Sequence, residues 1–207
     1  MRVSRIVWLA LLATVTYAVF FWVPPGPKRP GAFDPEKVAA HQLEVFEAYD
    51  RESDFDLFVG YVKLLREQNK YSWFRAVDAG FHLARAHMAF RSVHSHFEQL
   101  LPDIEHAYTV ERDWLGARFD PEAVSQAELN AWLGSREHPV RVLDAMTDAF
   151  AARDALRYNV TESTARGPAS LYARASQMRD EEPTDWPTVA ALLLDASRAV
   201  ALSVRVR

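Results

Sequence analysis

Two stretches of this 207-residue chain open on the same four letters: Phe33-Asp34-Pro35-Glu36-Lys37-Val38-Ala39-Ala40-His41-Gln42-Leu43-Glu44-Val45-Phe46 and Phe119-Asp120-Pro121-Glu122-Ala123-Val124-Ser125-Gln126-Ala127-Glu128-Leu129-Asn130-Ala131-Trp132. Each spells a helix start. An aspartate can cap the first free amides, a proline fits the first turn because its missing N–H would have no partner there, and a glutamate complements the helix dipole. The phenylalanine before the cap is placed to act as a hydrophobic staple. Six of the fourteen positions are identical. The likeness fades after Phe46 and Trp132, and a solenoid needs at least three units. The echo therefore reads as one helix-start device used twice rather than a duplicated unit of about 86 residues.

Working outward from these starts, the pattern stays helical. The first helix runs to about Asp50. A second, from Ser53 to about Asn69, carries Phe55, Phe58, Val62 and Leu65 at spacings of three and four. Ser72 caps a third, in which Phe74, Val77, Phe81, Ala84 and Met88 form one stripe and Trp73, Ala76, Gly80, Leu83 and Phe90 an adjoining one, so it is expected to be the central helix. Pro102 kinks that helix or restarts it as a segment ending at Gly116. Further helices are predicted from Asp120 to Leu133, from Pro139 to Leu156, more weakly from Ser163 to Arg179 across Gly167 and Pro168, and from Thr184 or Asp185 to Val204. No run alternates as a half-buried strand does. The fold class is all-α, a bundle of six or seven helices over residues 33–207.

Upstream, residues 6–23 hold no charge for 18 positions, about 27 Å as a helix and close to the hydrocarbon thickness of a bilayer. The run is too long for a signal-peptide core and ends in Phe20, Phe21 and Trp22 rather than a small-x-small cleavage site, so it reads as an uncleaved anchor behind a basic tail at 1–5. Trp8 and Trp22 fall where indoles favour the membrane boundary. Basic residues nearly balance across the span, and the short tail favours a signal anchor with the soluble domain on the exported side. Residues 24–32, rich in proline and glycine, predict a stiff spacer of up to about 25 Å.

Charge excludes one class of partner. With Arg2 and Arg5 set aside, 22 basic residues face 28 acidic ones without a basic block, which argues against nucleic acid. Cysteine is absent, which removes thiol chemistry and Cys-ligated clusters. No nucleophile elbow, phosphate loop or dinucleotide fingerprint can be written from the seven glycines. His87, His94 and Glu98 share a stripe if the third helix extends that far, but two turns hold the histidines roughly 10 Å apart. His41, Glu44 and Glu47 lack the Glu-x-x-His pairing of a di-iron bundle and read as a solvated face, as does Asp180-Glu181-Glu182. Asn159-Val160-Thr161 matches a glycosylation sequon too short to locate the protein.

No catalytic, cofactor-binding or metal residue is assigned. Aromatics gather in the first half of the domain, at Phe46, Tyr49, Phe55, Phe58, Tyr61, Trp73, Phe74, Phe81 and Phe90, and their helical spacing predicts core. The expected role is a membrane-anchored, non-catalytic accessory or scaffold subunit of a membrane protein assembly, with the bilayer held through 6–23 and other subunits as partners. The alternatives are a membrane-tethered helical domain binding a small ligand or metal, and an enzyme of a type its motifs do not name.

Overall fold

The computed structural model describes residues 2–136 and 142–205. Among these, α-helices run α1 (Arg2–Phe21), α2 (Pro35–Asp50), α3 (Asp54–Asn69), α4 (Trp73–Ser92), α5 (Leu101–Leu115), α6 (Pro121–Gly134), α7 (Val142–Tyr158), α8 (Glu162–Arg179) and α9 (Trp186–Arg205), with a 3-10 turn at Phe97–Leu100 before α5. The domain is all-helical, with no strand among the described residues. It holds eight α-helices after α1, against the expected six or seven. The chain leaves α4 at Ser92 and re-enters as α5 with Pro102 in its first turn, so Pro102 restarts the helix rather than bending it. α8 continues through Gly167 and Pro168, with Pro168 buried inside it. Pro139, Val140 and His138 lie outside the described residues.

The predicted caps form. The Asp34 carboxylate accepts from the amides of Glu36 and Lys37, that of Asp120 from Glu122, and the Ser72 hydroxyl from Arg75. Gly116, at φ 61°, ends α5 in the left-handed region.

From α2 to α9 consecutive helices pack on one another, α9 returns to α2, and α1 touches α4. The result is a closed ring rather than a bundle around one central helix, and α4 is one member of it. Apolar clusters follow the joints: Val38, Leu57 and Leu64 in one, Ile104, Val124 and Trp132 in another, Met146, Phe150 and Ala173 in a third, and Val189 and Leu193 with Phe46 in a fourth.

The ring is two copies of one four-helix unit, α2–α5 and α6–α9. Lys70 and Asn159, 89 residues apart, both adopt φ 53° ahead of a helix. Two residues later Ser72 and Thr161 cap, accepting from Arg75 and Thr164. Buried small residues then recur at that offset: Ala76 and Ala165, Gly80 and Ala169, Ala84 and Ala173, Ala86 and Ala175. Leu57, Tyr61 and Val62 of α3 match Met146, Phe150 and Ala151 of α7, and Pro102 and Ile104 of α5 match Pro187 and Val189 of α9. The shared Phe-Asp-Pro-Glu starts a helix in both places, as expected, and stands at the head of each of two four-helix units in which burial and backbone conformation recur where the letters differ.

The spacer is fastened rather than free. Arg66 donates to the Trp22 carbonyl at 3.4 Å and lies 5.0 Å from the Trp22 ring, the Lys28 ammonium stands 4.1 Å over Trp114, and Phe33 is buried. Gly31, at φ 74°, passes so close to Val204 that a Cβ would sit 2.7 Å from its side chain.

One described helix, Trp186–Val204, is long and apolar enough to cross a membrane by length and composition; the described apolar run of α1, Trp8–Phe21, is shorter. This placement differs from the expected N-terminal span. The two segments also differ in surroundings. α9 buries Val189, Leu193, Ala196 and Ala201 and exposes Asp195 and Arg198, whereas every side chain from Trp8 to Trp22 is exposed.

Candidate functional site

A ring whose helices touch mainly their neighbours leaves its axis to side chains, and these enclose a cavity of about 120 Å³. Its lining is polar and aromatic, with charges supplied largely by the second unit. On α7, Arg153, Asp154 and Arg157 recur at helical spacing on the face turned inward, and α8 adds Arg179.

Two networks cross the ring. Glu111 of α5 takes a bidentate bond from Arg157 of α7, Nε to Oε1 at 2.6 Å and Nη2 to Oε2 at 2.7 Å, and the Asn69 amide of α3 donates to Oε2 at 3.2 Å. Side-chain exposure is 8% for Arg157 and 3% for Glu111, so the pair is fully withdrawn from water. Glu128 of α6 accepts from the Tyr108 hydroxyl at 3.0 Å, the Trp132 indole at 2.9 Å and Arg153 at 2.8 Å. Burial would raise the Glu128 carboxyl, but Arg153 and these donors hold it below its usual range. Asp154, beside Arg153 at 2.7 Å, goes the other way: burial raises it and the arginines only partly oppose this.

The remaining wall is aromatic. His87 stacks on Trp132 with ring centroids 4.0 Å apart, and its Nδ1 is hydrogen-bonded to the Tyr61 hydroxyl. Burial and then the nearby Arg179 charge lower the His87 imidazole to about 3, so it is neutral. Burial likewise lifts the Tyr158 and Tyr172 phenols to about 12. Arg179 lies 5.0 Å from the Phe46 ring and 4.8 Å from Tyr49, with its Nε bound by Asp180 at 2.7 Å.

The sequence candidates scatter. His87 reaches the cavity, whereas His94 lies beyond the end of α4 and is exposed, as is Glu98, so those three do not converge. His41 pairs with Glu44 at 3.4 Å, Glu44 with Lys63 at 3.0 Å and Glu47 with Arg51 at 3.4 Å, all on the outer face. Asp180 touches Arg179 at the cavity, while Glu181 and Glu182 are exposed. Of the aromatics, Phe46, Tyr61 and Phe90 are core and line the cavity, but Phe55, Phe74 and Phe81 are exposed. The inward arginines were missed because Arg153-Asp154 and Arg157 look like any solvated helix face in one dimension. A second cluster was also missed: Asp78 and His82 of α4 with His106 of α5, whose ligand-type atoms lie within 4.8 Å of one another.

Comparison with known proteins finds no match to this chain among protein-family models, curated proteins or solved structures.

Proposed function

We propose that the protein is a membrane-tethered, non-catalytic binding domain whose central cavity takes a small organic anion with a planar apolar body. The cavity carries this reading: an aromatic enclosure of about 120 Å³, bordered by Tyr49, Phe46 and the Arg179 guanidinium. Its size suits a ligand of roughly benzene dimensions. Arg153 is bound by Glu128 and Asp154 and Arg157 is engaged in a bidentate pair with Glu111, whereas Arg179 is held at its Nε alone and has further N–H donors to offer a ligand. Proton transfer by His87 or Tyr172 near neutral pH is disfavoured, since burial holds the imidazole at about 3 and the phenol at about 12.

The tether is α1. An apolar side chain left in water forgoes roughly 1.5–3 kcal/mol relative to burial, and α1 exposes Trp8, Leu9, Leu12, Phe20 and others in one rod. A bilayer would cover them, while α9 is already used by the ring. The short N-terminal tail favours a signal anchor with the domain on the exported side, which protease protection in intact cells tests.

Benzoate is a suitable probe of the cavity. It is expected to raise the thermal midpoint of the full chain in detergent, and Arg179→Ala to abolish that rise; an unchanged midpoint at millimolar benzoate overturns the ligand class. The accessory-subunit reading is favoured by one observation, the exposed stripe of Phe74, Val77 and Phe81 on α4, and predicts co-purification with other membrane proteins in mild detergent.

A further inference from the structure

We propose that the outer face of α4 and α5 forms a site for a divalent transition-metal ion of the zinc class, ligated by Asp78, His82 and His106. The donor set suits such an ion, since imidazole nitrogen and carboxylate oxygen are its ordinary ligands and three protein ligands leave the fourth position for water. Asp78 and His82 are one turn apart on α4, so their side chains share a face, and His106 meets them from α5. The three ligand-type atoms lie within 4.8 Å of one another.

A second observation points the same way. His82 Nδ1 sits 2.6 Å from Asp103 of α5, and Asp103 is itself held by Arg85, whose Nε donates to Oδ2 at 2.7 Å. A carboxylate on Nδ1 fixes the tautomer and leaves Nε2 as the ligating atom, the arrangement that supports metal-bound histidines. Asp103 is thus a positioning residue. Arg85 and His82 override the burial that would raise its carboxyl and keep it ionised.

The geometry says what must move. The His82 and His106 rings lie 4.0 Å apart, tilted by 33°. Two imidazoles on one tetrahedral ion need centroids about 5 Å apart, so one ring swings outward by about an ångström. That ring is His106, whose side chain is 42% exposed against 22% for His82. Its 3.2 Å contact with Asp78 is exchanged for the ion, which both then bind.

The duplicated unit supplies an internal comparison. At the matching positions of α8 and α9 stand Gly167, Leu171, Thr188 and Ala191 in place of Asp78, His82, Asp103 and His106. Helix packing in this ring therefore does not require the cluster.

The test uses the full chain in detergent, stripped with EDTA and titrated with Zn²⁺ by calorimetry and with Co²⁺ by visible absorbance. One equivalent is expected to bind, with the intense d–d bands of four-coordinate Co²⁺. His82→Ala and His106→Ala should each weaken binding by about 100-fold or more, and Asp103→Asn by about 10- to 100-fold with the stoichiometry kept. Asp103→Glu should recover part of that loss, and His41→Ala should change nothing. Circular dichroism checks that each variant is folded. No binding, or equal binding in folded His82→Ala and His106→Ala, overturns the proposal.

Discussion

The two units of the ring share a backbone plan and divide the chemistry between them. Where α3 turns Leu64, Leu65 and Gln68 inward, the matching positions of α7 hold Arg153, Asp154 and Arg157; where α4 has Phe90, α8 has Arg179. The first unit answers with one buried carboxylate, Glu111, opposite Ala196 of the second. Outside the ring the asymmetry reverses, because the histidines of α4 and α5 face no counterparts on α8 and α9. Small buried residues and caps set the scaffold, and positions beside them were free to become apolar in one copy and charged in the other.

That division can be broken most severely at Glu111. Glu111→Ala strands Arg157 in the interior and is expected to cost about 3–5 kcal/mol of unfolding free energy, measured by denaturant titration. Glu111→Leu combined with Arg157→Met should recover most of it, because a buried ion pair and a packed apolar pair of similar volume differ little in stability. Gln68→Met, at the position that matches Arg157, removes one hydrogen bond to the Tyr158 hydroxyl and should cost only about 1 kcal/mol. Equal costs for Glu111→Ala and Gln68→Met would mean that the units are not chemically specialised.

Acid should reveal the next difference. His87 binds its proton at about 6.5 when unfolded and at about 3 when folded, so between those values the unfolded chain holds more protons. Stability contributed by the neutral imidazole is complete above pH 6.5 and shrinks as pH falls, by about 2 kcal/mol at pH 5. His87→Gln should flatten the stability profile between pH 6.5 and 5, whereas Ser176, its counterpart on α8, has no proton to exchange in this range. Glu128 and Asp103, lowered by their partners, add a separate loss at lower pH, as the medium passes from their unfolded values toward their folded ones.

The smallest effect sharpens the likeness instead. Ser72→Ala and Thr161→Ala remove equivalent caps and should each cost about 1 kcal/mol; a clear inequality would show that α4 and α8 are held differently by their surroundings.

Most of the fold was legible in local signals. Asp34, Asp120 and Ser72 capped as their letters predict, and Gly116 ended its helix, because such devices act within one turn. The duplication was half-visible. Its surest traces, the left-handed Lys70 and Asn159 followed by caps, and Ala-Arg-Ala at 84–86 and again at 173–175, lie 89 residues apart, whereas the Phe-Asp-Pro-Glu echo lies at 86. Length changes between the offsets blur any single alignment. The site residues were harder still. His82 and His106 stand on different helices and make a cluster only once α4 and α5 pack, and Arg157 differs from a solvated arginine only by facing Glu111 across the ring. His94 shows the opposite error, since a stripe extended past Ser92 assigned it to a helix that had already ended.

The seam between α2 and α9 bears on how the chain assembles. Gln42 and Ser197 meet there across 155 residues of sequence, and Glu36 and Arg198 across 162. Every other joint forms between consecutive helices, so most of the ring can zip up through short loops, but this one closes a loop spanning nearly the whole domain and carries its entropic cost. The α2–α9 seam is therefore the one joint of the ring whose contacts join sequence-distant helices, and it makes the largest contribution to the contact order of the domain.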